Sequence, residues 1–124
     1  MGILRIAAFA WLFFVFTAAS LNSASPLQMR VSPAISQSPA WVTVRVMLDA
    51  GPDDRALLVT AESASYYRAS EEPLEGAKSQ RLNVFEFKNL PPGLYEIKSV
   101  LMDSNGPRAT EMRLAKVEPG FGSQ

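Results

Sequence analysis

The stretch that organises this sequence is residues 85–97, Phe85-Glu86-Phe87-Lys88-Asn89-Leu90-Pro91-Pro92-Gly93-Leu94-Tyr95-Glu96-Ile97. Apolar and polar residues alternate before and after its centre, which predicts two strands, with Phe85 and Phe87 on one face of the first. Pro91-Pro92-Gly93 predicts a sharp turn, because proline presets φ and glycine tolerates conformations that other residues avoid. We therefore predict a strand–turn–strand corner, with Leu90 tucked under it and Tyr95 opening the second strand.

The segments outside this corner carry the same period-two pattern. Trp41–Leu48 is the clearest of them, because every second residue from Val42 to Leu48 is apolar. Asn105-Gly106 predicts a hairpin between the last two strands. The turn-rich segment from Asp49 to Asp54 is short enough to predict a hairpin as well. The other predicted strands are Leu27–Val31, Ala56–Glu62, Ser63–Ser70, Arg81–Phe87, Leu94–Met102 and Arg108–Val117, the last with Met112 and Leu114 as its apolar residues and Glu111 and Arg113 as its polar ones.

Six or seven short strands with turns between them predict an all-β fold, an antiparallel sandwich. The chain after residue 25 has no long apolar stripe at helical spacing, and a parallel sheet would need crossover helices. We assign residues 26–118 to one β-sandwich domain and residues 119–124 to a flexible tail.

The corner resembles the Leu-Pro-x-Gly-x-Tyr segment of fibronectin type III, carboxypeptidase regulatory-like and other immunoglobulin-like domains. In such sandwiches a tyrosine near the start of a strand donates its hydroxyl to upstream backbone. The resemblance implies an immunoglobulin-like sandwich of about seven strands, and an accessory, binding or spacer module. It implies that Leu90, Pro91, Gly93 and Tyr95 serve the geometry of the corner. The cysteine pair of antibody-type domains and its accompanying core tryptophan are absent.

The first 25 residues are typical of a secretory signal peptide. Arg5 precedes a run of 14 residues, Ile6–Ala19, in which only Thr17 is not apolar, and small residues follow it. Cleavage is expected after Ser20, after Ala19, or near residues 24–25. A helix that spans a bilayer needs about 20 apolar residues, so this run is short for a permanent anchor. An uncleaved anchor and a buried N-terminal helix remain the alternatives.

Composition excludes several kinds of chemistry. The chain has 124 residues, 12 Lys+Arg against 12 Asp+Glu, and neither His nor Cys. Disulfides, thiolate catalysis, Cys- or His-ligated metals and Ser-His-Asp triads are therefore excluded. The balanced charge, with basic residues scattered singly, predicts no nucleic-acid binding. We predict no catalytic residue, no metal site and no cofactor, and hence a protein that is not an enzyme.

Four residues are candidates for binding: Trp41, Tyr66, Tyr67 and Arg68. Together they could form a platform on which a sugar or a peptide stacks. On a strand, Tyr66 and Tyr67 would point to opposite faces, so at most one would be exposed there. Packing within the domain is the interpretation that the residue types favour, and the binding platform is the alternative.

Carboxylates form two clusters. Loop carboxylates can bind Ca²⁺, but neither cluster has the alternating spacing of a calcium loop. Solvated turn residues are the better account of both clusters, because Asp favours turns and Glu favours the surface. The clusters are Asp49, Asp53 and Asp54, and Glu71, Glu72 and Glu75.

These observations predict an exported, non-catalytic module, secreted or periplasmic, that binds a protein, peptide or glycan or acts as a spacer. Strand addition at an exposed edge beside Tyr66–Ser70 would be a natural binding mode. The membrane would be met only through the N-terminal segment during export. The alternatives are a membrane-tethered subunit of a surface assembly and a carboxylate-based enzyme, with or without Ca²⁺.

Overall fold

The computed structural model describes residues 25–120, and the predicted signal peptide up to residue 24 and the tail beyond residue 120 lie outside that range. Eight strands and one short 3₁₀ helix make up the described part. In chain order they are β1 (Leu27–Ser32), β2 (Ile35–Gln37), β3 (Ala40–Leu48), β4 (Asp54–Glu62), β5 (Tyr67–Pro73), the 3₁₀ helix (Gly76–Lys78), β6 (Leu82–Leu90), β7 (Gly93–Asp103) and β8 (Gly106–Glu118).

The strands form two sheets, which confirms the predicted all-β sandwich. The first sheet has the order β1-β3-β6, and the second has the order β2-β8-β7-β4-β5. Strands that are neighbours in a sheet are antiparallel, except for β2 and β8. The prediction of an entirely antiparallel sandwich missed that pairing.

The core lies between the two sheets, and the period-two patterns decide which residues enter it. Along β3, every second residue from Ala40 to Leu48 is buried, and Trp41 and Met47 face outward. Phe85 and Phe87 of β6 are buried as predicted, and Val84, just before them on the other face, is exposed. Each face of a strand is thus assigned by its alternation, as expected for a sheet with one solvated side.

The first strand switches sheets, which the sequence analysis did not predict. β1 pairs with β3 in the first sheet, and after Pro33 the chain crosses to the second, where β2 pairs with residues 116–118 of β8. A three-residue strand is too short to produce a readable alternation. Because β2 pairs with residues 116–118 alone, no described strand pairs with residues 109–115 of β8 on the side away from β7.

The hairpin predicted between β3 and β4 is wrong. β3 lies in the first sheet and β4 in the second, so their connection crosses the sandwich. It is long enough to do so, and the Asp54 carboxylate accepts a hydrogen bond from the Gly51 amide, which shapes the turn. The hairpin predicted at Asn105-Gly106 is confirmed, since β7 and β8 pair antiparallel around it.

The buried face of β8 is not the face that carries Met112 and Leu114. Met112 and Leu114 are about half exposed, whereas Ala115 and Val117 are buried. The strand therefore presents its larger apolar side chains to solvent on the outer face of the second sheet. Across residues 25–120, no helix has the length and apolar character needed to cross a membrane.

Candidate functional site

The corner between β6 and β7 is held by Tyr95. Its ring is fully buried, and its hydroxyl donates a hydrogen bond of 2.7 Å to the Pro91 carbonyl. Leu90 is buried beneath the turn. A Cβ on Gly93 would lie 3.1 Å from the Cβ of Ser63, so a side chain there would crowd the neighbouring loop. Burial raises the pKa of Tyr95, which keeps the phenol protonated as a donor.

Three of the four predicted binding residues belong to one connected row at the side where β5 and β6 approach each other. Tyr66 packs edge-on against Tyr95, with ring centroids 6.3 Å apart. The Arg68 guanidinium lies 5.7 Å from the Tyr66 ring centroid and donates a 3.1 Å hydrogen bond to the Lys88 carbonyl. The Lys88 ammonium lies 4.5 Å from the Trp41 ring centroid. We call these five residues the aromatic–cation row.

The aromatic–cation row joins the two sheets rather than forming an open platform. Arg68 stands on β5 of one sheet and bonds to β6 of the other, across the side of the sandwich. Tyr67 is not part of it: its side chain is 60% exposed on the opposite face of β5. The structure thus brings together Trp41, Tyr66 and Arg68 and separates Tyr67 from them.

The first carboxylate cluster is not simply a solvated turn. Asp54 is 1% exposed, and its two carboxylate oxygens accept hydrogen bonds of 2.9 and 3.0 Å from Nε and Nη2 of Arg108. That bidentate contact is the main reason why the pKa of Asp54 lies below its ordinary value. Asp53 pairs instead with Arg55 at the surface. Among residues 25–120 there is no group of three or more Asp or Glu placed to hold a metal ion.

A concave surface lies on the other side of the sandwich, along β1. It is a groove of about 990 Å³, which we call the arginine groove. Its lining comes from β1, β3, β6 and β8. The residues that line it include Met29, Arg30, Arg45, Met47, Leu82 and Arg113.

The arginine groove holds two cations side by side. Arg30 of β1 and Arg45 of β3 are direct cross-strand partners, so their side chains share one face about 5.5 Å apart. In the described part of the chain, no carboxylate lies within 4.0 Å of either guanidinium. Glu86, diagonal to Arg45 across β3 and β6, does not reach it. Arg113, by contrast, is neutralised by Glu111 at 3.0 Å.

The strand edges beside the groove present backbone groups without a ladder partner. The Asp49 amide donates to the Pro26 carbonyl, which sets the alternation of the β1–β3 ladder. It follows that the N–H and C=O groups of Met29 and Val31 point away from β3, to the side where β8 of the other sheet lies beside β1 with no ladder hydrogen bond between them in residues 25–120. The equivalent groups of Leu27 are occupied by the Ser25 hydroxyl.

The facing edge of β8 is similar. The Lys116 amide donates to the Ala34 carbonyl, so alternate residues of β8 direct their backbone groups away from β7. Along the stretch without a partner these residues include Met112 and Leu114, and Arg113 donates a 2.8 Å hydrogen bond to the Met112 carbonyl. The groove therefore lies beside two open strand edges, one from each sheet.

Sequence reasoning missed Arg30 and Arg45 because they are 15 residues apart and each stands alone in the sequence. The interpretation of basic residues as scattered is wrong for this pair. The period-two pattern places both on outward faces, but only the register of β1 against β3 makes them partners. No feature of either segment alone specifies that register.

Comparisons with known proteins identify the fold and no family. No protein-family model matches the chain, and no curated protein matches it. Among solved structures, the superoxide reductase (neelaredoxin) from Ignicoccus hospitalis is similar, with 14% identity, a TM-score of 0.56, and coverage of 76% of this chain and 81% of that one. A variant of the same reductase has 15% identity and a TM-score of 0.58 over 82% of this chain and 87% of that one.

A family 76 glycoside hydrolase from a bovine Bacteroides thetaiotaomicron strain is also similar, with 14% identity and a TM-score of 0.53. The match covers 77% of this chain but only 21% of that protein. Identities at this level show a shared fold alone.

The prediction that the chain is not an enzyme is wrong. It rested on the view that a small sandwich without His or Cys leaves no room for catalysis. Three of the similar structures are of superoxide reductase, and the similarity spans most of that protein. A β-sandwich of similar size is therefore the fold of an enzyme in another protein, and the fold of this chain is no reason to exclude an enzyme. What these comparisons establish for the present chain is a β-sandwich fold and no activity.

Proposed function

We propose that this domain binds an extended, acidic polypeptide segment in the arginine groove, and that it works outside the cytoplasm. The single observation that carries the binding proposal is the pair Arg30 and Arg45, placed opposite each other with no carboxylate within reach in residues 25–120. Like charges directly opposite on neighbouring strands destabilise a sheet. A bound carboxylate would remove that repulsion.

The shape of the site favours an extended polypeptide. The backbone groups of Val31 lie at a strand edge without a ladder partner in residues 25–120, where an extended segment can bond to the main chain, whereas Met29 beside it is only 3% exposed. Met47 and Leu82 are cross-strand partners beside the arginines and are 38% and 47% exposed. An extended segment in which carboxylates alternate with apolar residues would direct its carboxylates to the outer face that carries the arginines, Met47 and Leu82, and its apolar side chains to the opposite face, toward Val31.

A glycan fits the observations less well. Sugar rings stack on exposed aromatic faces, and no aromatic side chain of residues 25–120 lines the arginine groove. Trp41, the exposed tryptophan, already has the Lys88 ammonium 4.5 Å from its ring centroid. A polypeptide is therefore the ligand class that we propose.

The test is fluorescence anisotropy of a labelled peptide of alternating Val and Glu, titrated with protein expressed from the full sequence. We expect the double variant Arg30→Ala, Arg45→Ala to bind at least about tenfold more weakly, a loss of about 1.4 kcal/mol. Its stability to urea should be unchanged or slightly raised, since a repulsive pair is removed. A measurable loss of binding without a loss of stability separates recognition from folding.

Two controls sharpen this measurement. Lys98→Glu changes an exposed residue of the central strand β7 and should leave the peptide affinity unchanged. A peptide with Gln in place of Glu should bind weakly to every variant, because the contact is ionic. Equal binding of the Glu and Gln peptides, or full binding by the arginine double variant, would refute the proposal.

Export and family assignment are part of the same proposal. Residues 1–25 support export through their charge and apolar pattern, and mass spectrometry of the N-terminus of protein secreted by a bacterial host tests it: an intact Met1 in the exported fraction would contradict cleavage. An immunoglobulin-like assignment is supported by strand order. With β1 and β2 counted as one switched strand, the first, second and fifth strands form one sheet, and the third, fourth, sixth and seventh lie in the other, whereas the constant-type sandwich has its fourth strand in the first sheet.

A further inference from the structure

A second open edge lies on the opposite side of the sandwich, at β5. β5 pairs only with β4, and the amides of Ser63 and Leu74 donate to the carbonyls of Tyr66 and Arg55. These two bonds set the alternation of the ladder, so the backbone groups of Tyr67, Ala69 and Glu71 point away from β4. The two open edges are on opposite sides because β1 contacts β8, whereas β5 reaches β6 through Arg68.

The β5 edge carries the charge that the arginine groove lacks. Glu71 and Glu72 are both exposed at its end, and in the described part of the chain no cation lies within 4.0 Å of either carboxylate. The tyrosine at the start of the same edge, Tyr67, is 60% exposed. β5 is thus an extended segment that carries two exposed carboxylates and an exposed aromatic ring, while Arg68, the cation of the same strand, is bonded to the Lys88 carbonyl. Its unpaired charge is of the sign proposed for the ligand of the groove.

The charges also decide which edges can pair. Two β1 edges would offer Arg30 no carboxylate, and two β5 edges would offer Glu71 no cation except Arg68, which already bonds to the Lys88 carbonyl. Where either edge pairs with its own copy in register, like charges stand opposite one another, which is destabilising. Only the mixed pair of a β5 edge with a β1 edge places opposite charges in contact. Selection of one pairing by repulsion in the others is a common source of specificity.

We propose that the segment bound in the arginine groove is β5 of a second copy of this chain, so that copies assemble head to tail. This inference rests on the proposed function, since it names the partner of the same groove. Because the two surfaces lie on opposite sides of one domain, a copy cannot fill its own groove with its own β5. Contacts of this heterologous kind build rings if they close and filaments if they do not.

The experiment is sedimentation velocity on protein expressed from the full sequence, over a wide range of concentrations. We expect the average mass of the native sequence to rise with concentration and to fall in about 1 M salt, where the Debye length is about 3 Å. Arg30→Glu with Arg45→Glu, and separately Glu71→Arg with Glu72→Arg, should each raise the dissociation constant at least about tenfold.

The decisive measurement is sedimentation velocity on a mixture of the two charge-reversed proteins. The acidic β5 of the first variant faces the basic groove of the second, and the basic β5 of the second faces the acidic groove of the first. Association should therefore return in the mixture. The matched control is Glu62→Arg with Glu96→Arg, which makes the same change in charge at exposed positions of the central strands β4 and β7 and should associate as the native protein does.

A native protein that keeps the mass of a single chain throughout, or variants that fail to reassociate when mixed, would overturn the inference. Binding of the Val-Glu peptide distinguishes failure of this inference from failure of the proposed function. If it binds the native groove while the protein stays a single chain, then the partner is another acidic protein and the proposed function stands. If neither the peptide nor a second copy binds, then both fail.

Discussion

The two ends of β7 are each held by one buried polar contact, and the contacts differ in how far apart their partners lie in the chain. At the start of β7, the Tyr95 hydroxyl donates to the Pro91 carbonyl, four residues away. At the far end, where Asp54 pairs in register with Asp103, the Asp54 carboxylate accepts from Arg108, 54 residues away. The first contact lies within one motif and was expected from its resemblance. The second depends on the whole sheet being in place.

The two contacts also differ in the charge of their partners. Tyr95 contributes a neutral hydrogen bond to a carbonyl near the surface, and such bonds stabilise by about 1 kcal/mol. Asp54 is a charge removed from water and held by two bonds from Arg108 and one from the Gly51 amide. Removing that charge leaves Arg108 and the turn without their acceptor, so it should cost more.

The largest expected effect is therefore at the Asp54 end. Asp54→Asn should lower the free energy of unfolding by about 2–3 kcal/mol, since one partner of a buried ion pair is lost while Arg108 remains partly exposed and can reach water. Urea denaturation measures it. Asp53→Asn is the matched control, because that carboxylate is 49% exposed in a surface pair with Arg55, and should cost less than about 1 kcal/mol. Equal losses in the two variants would contradict the comparison.

Low pH should weaken the contact between Asp54 and Arg108. The pKa of Asp54 is lower in the folded chain than its ordinary value of 3.8, chiefly because of the hydrogen bonds from Arg108. Its contribution to stability is therefore complete above that value and is lost as the pH falls through the lower folded pKa. The native protein should lose stability more steeply than Asp54→Asn below about pH 4. Parallel curves for the two proteins would show that Asp54 contributes nothing to the acid dependence.

The Tyr95 end should give the smallest effect. Tyr95→Phe keeps the buried ring and removes only the hydroxyl, so we expect a loss of about 1 kcal/mol in urea denaturation. Tyr67→Phe makes the same change on a 60% exposed ring and should have no measurable effect. A loss at Tyr95 as large as that at Asp54 would mean that the local contact, rather than the long-range one, dominates the stability of β7.

The same contrast between local and long-range contacts explains which candidate residues could be found. Trp41, Tyr66 and Arg68 were singled out because aromatic and basic residue types stand out in a short sequence. Their role in the fold, joining β5 to β6 through Lys88, could not be read from it. Arg30 and Arg45 drew no attention, because a lone arginine on a strand has no local signature.

Most of the strands, the buried faces of β3 and β6 and the β6–β7 corner follow from the sequence alone, because alternation and turn chemistry act over a few residues. The separation of β3 and β4 into different sheets, the switch from β1 to β2 and the register that joins Arg30 to Arg45 do not. Each of these depends on which apolar faces cover one another, and many pairings bury the same residues. The local pattern thus determines what each segment is, and only the packing of the two sheets decides which segments meet.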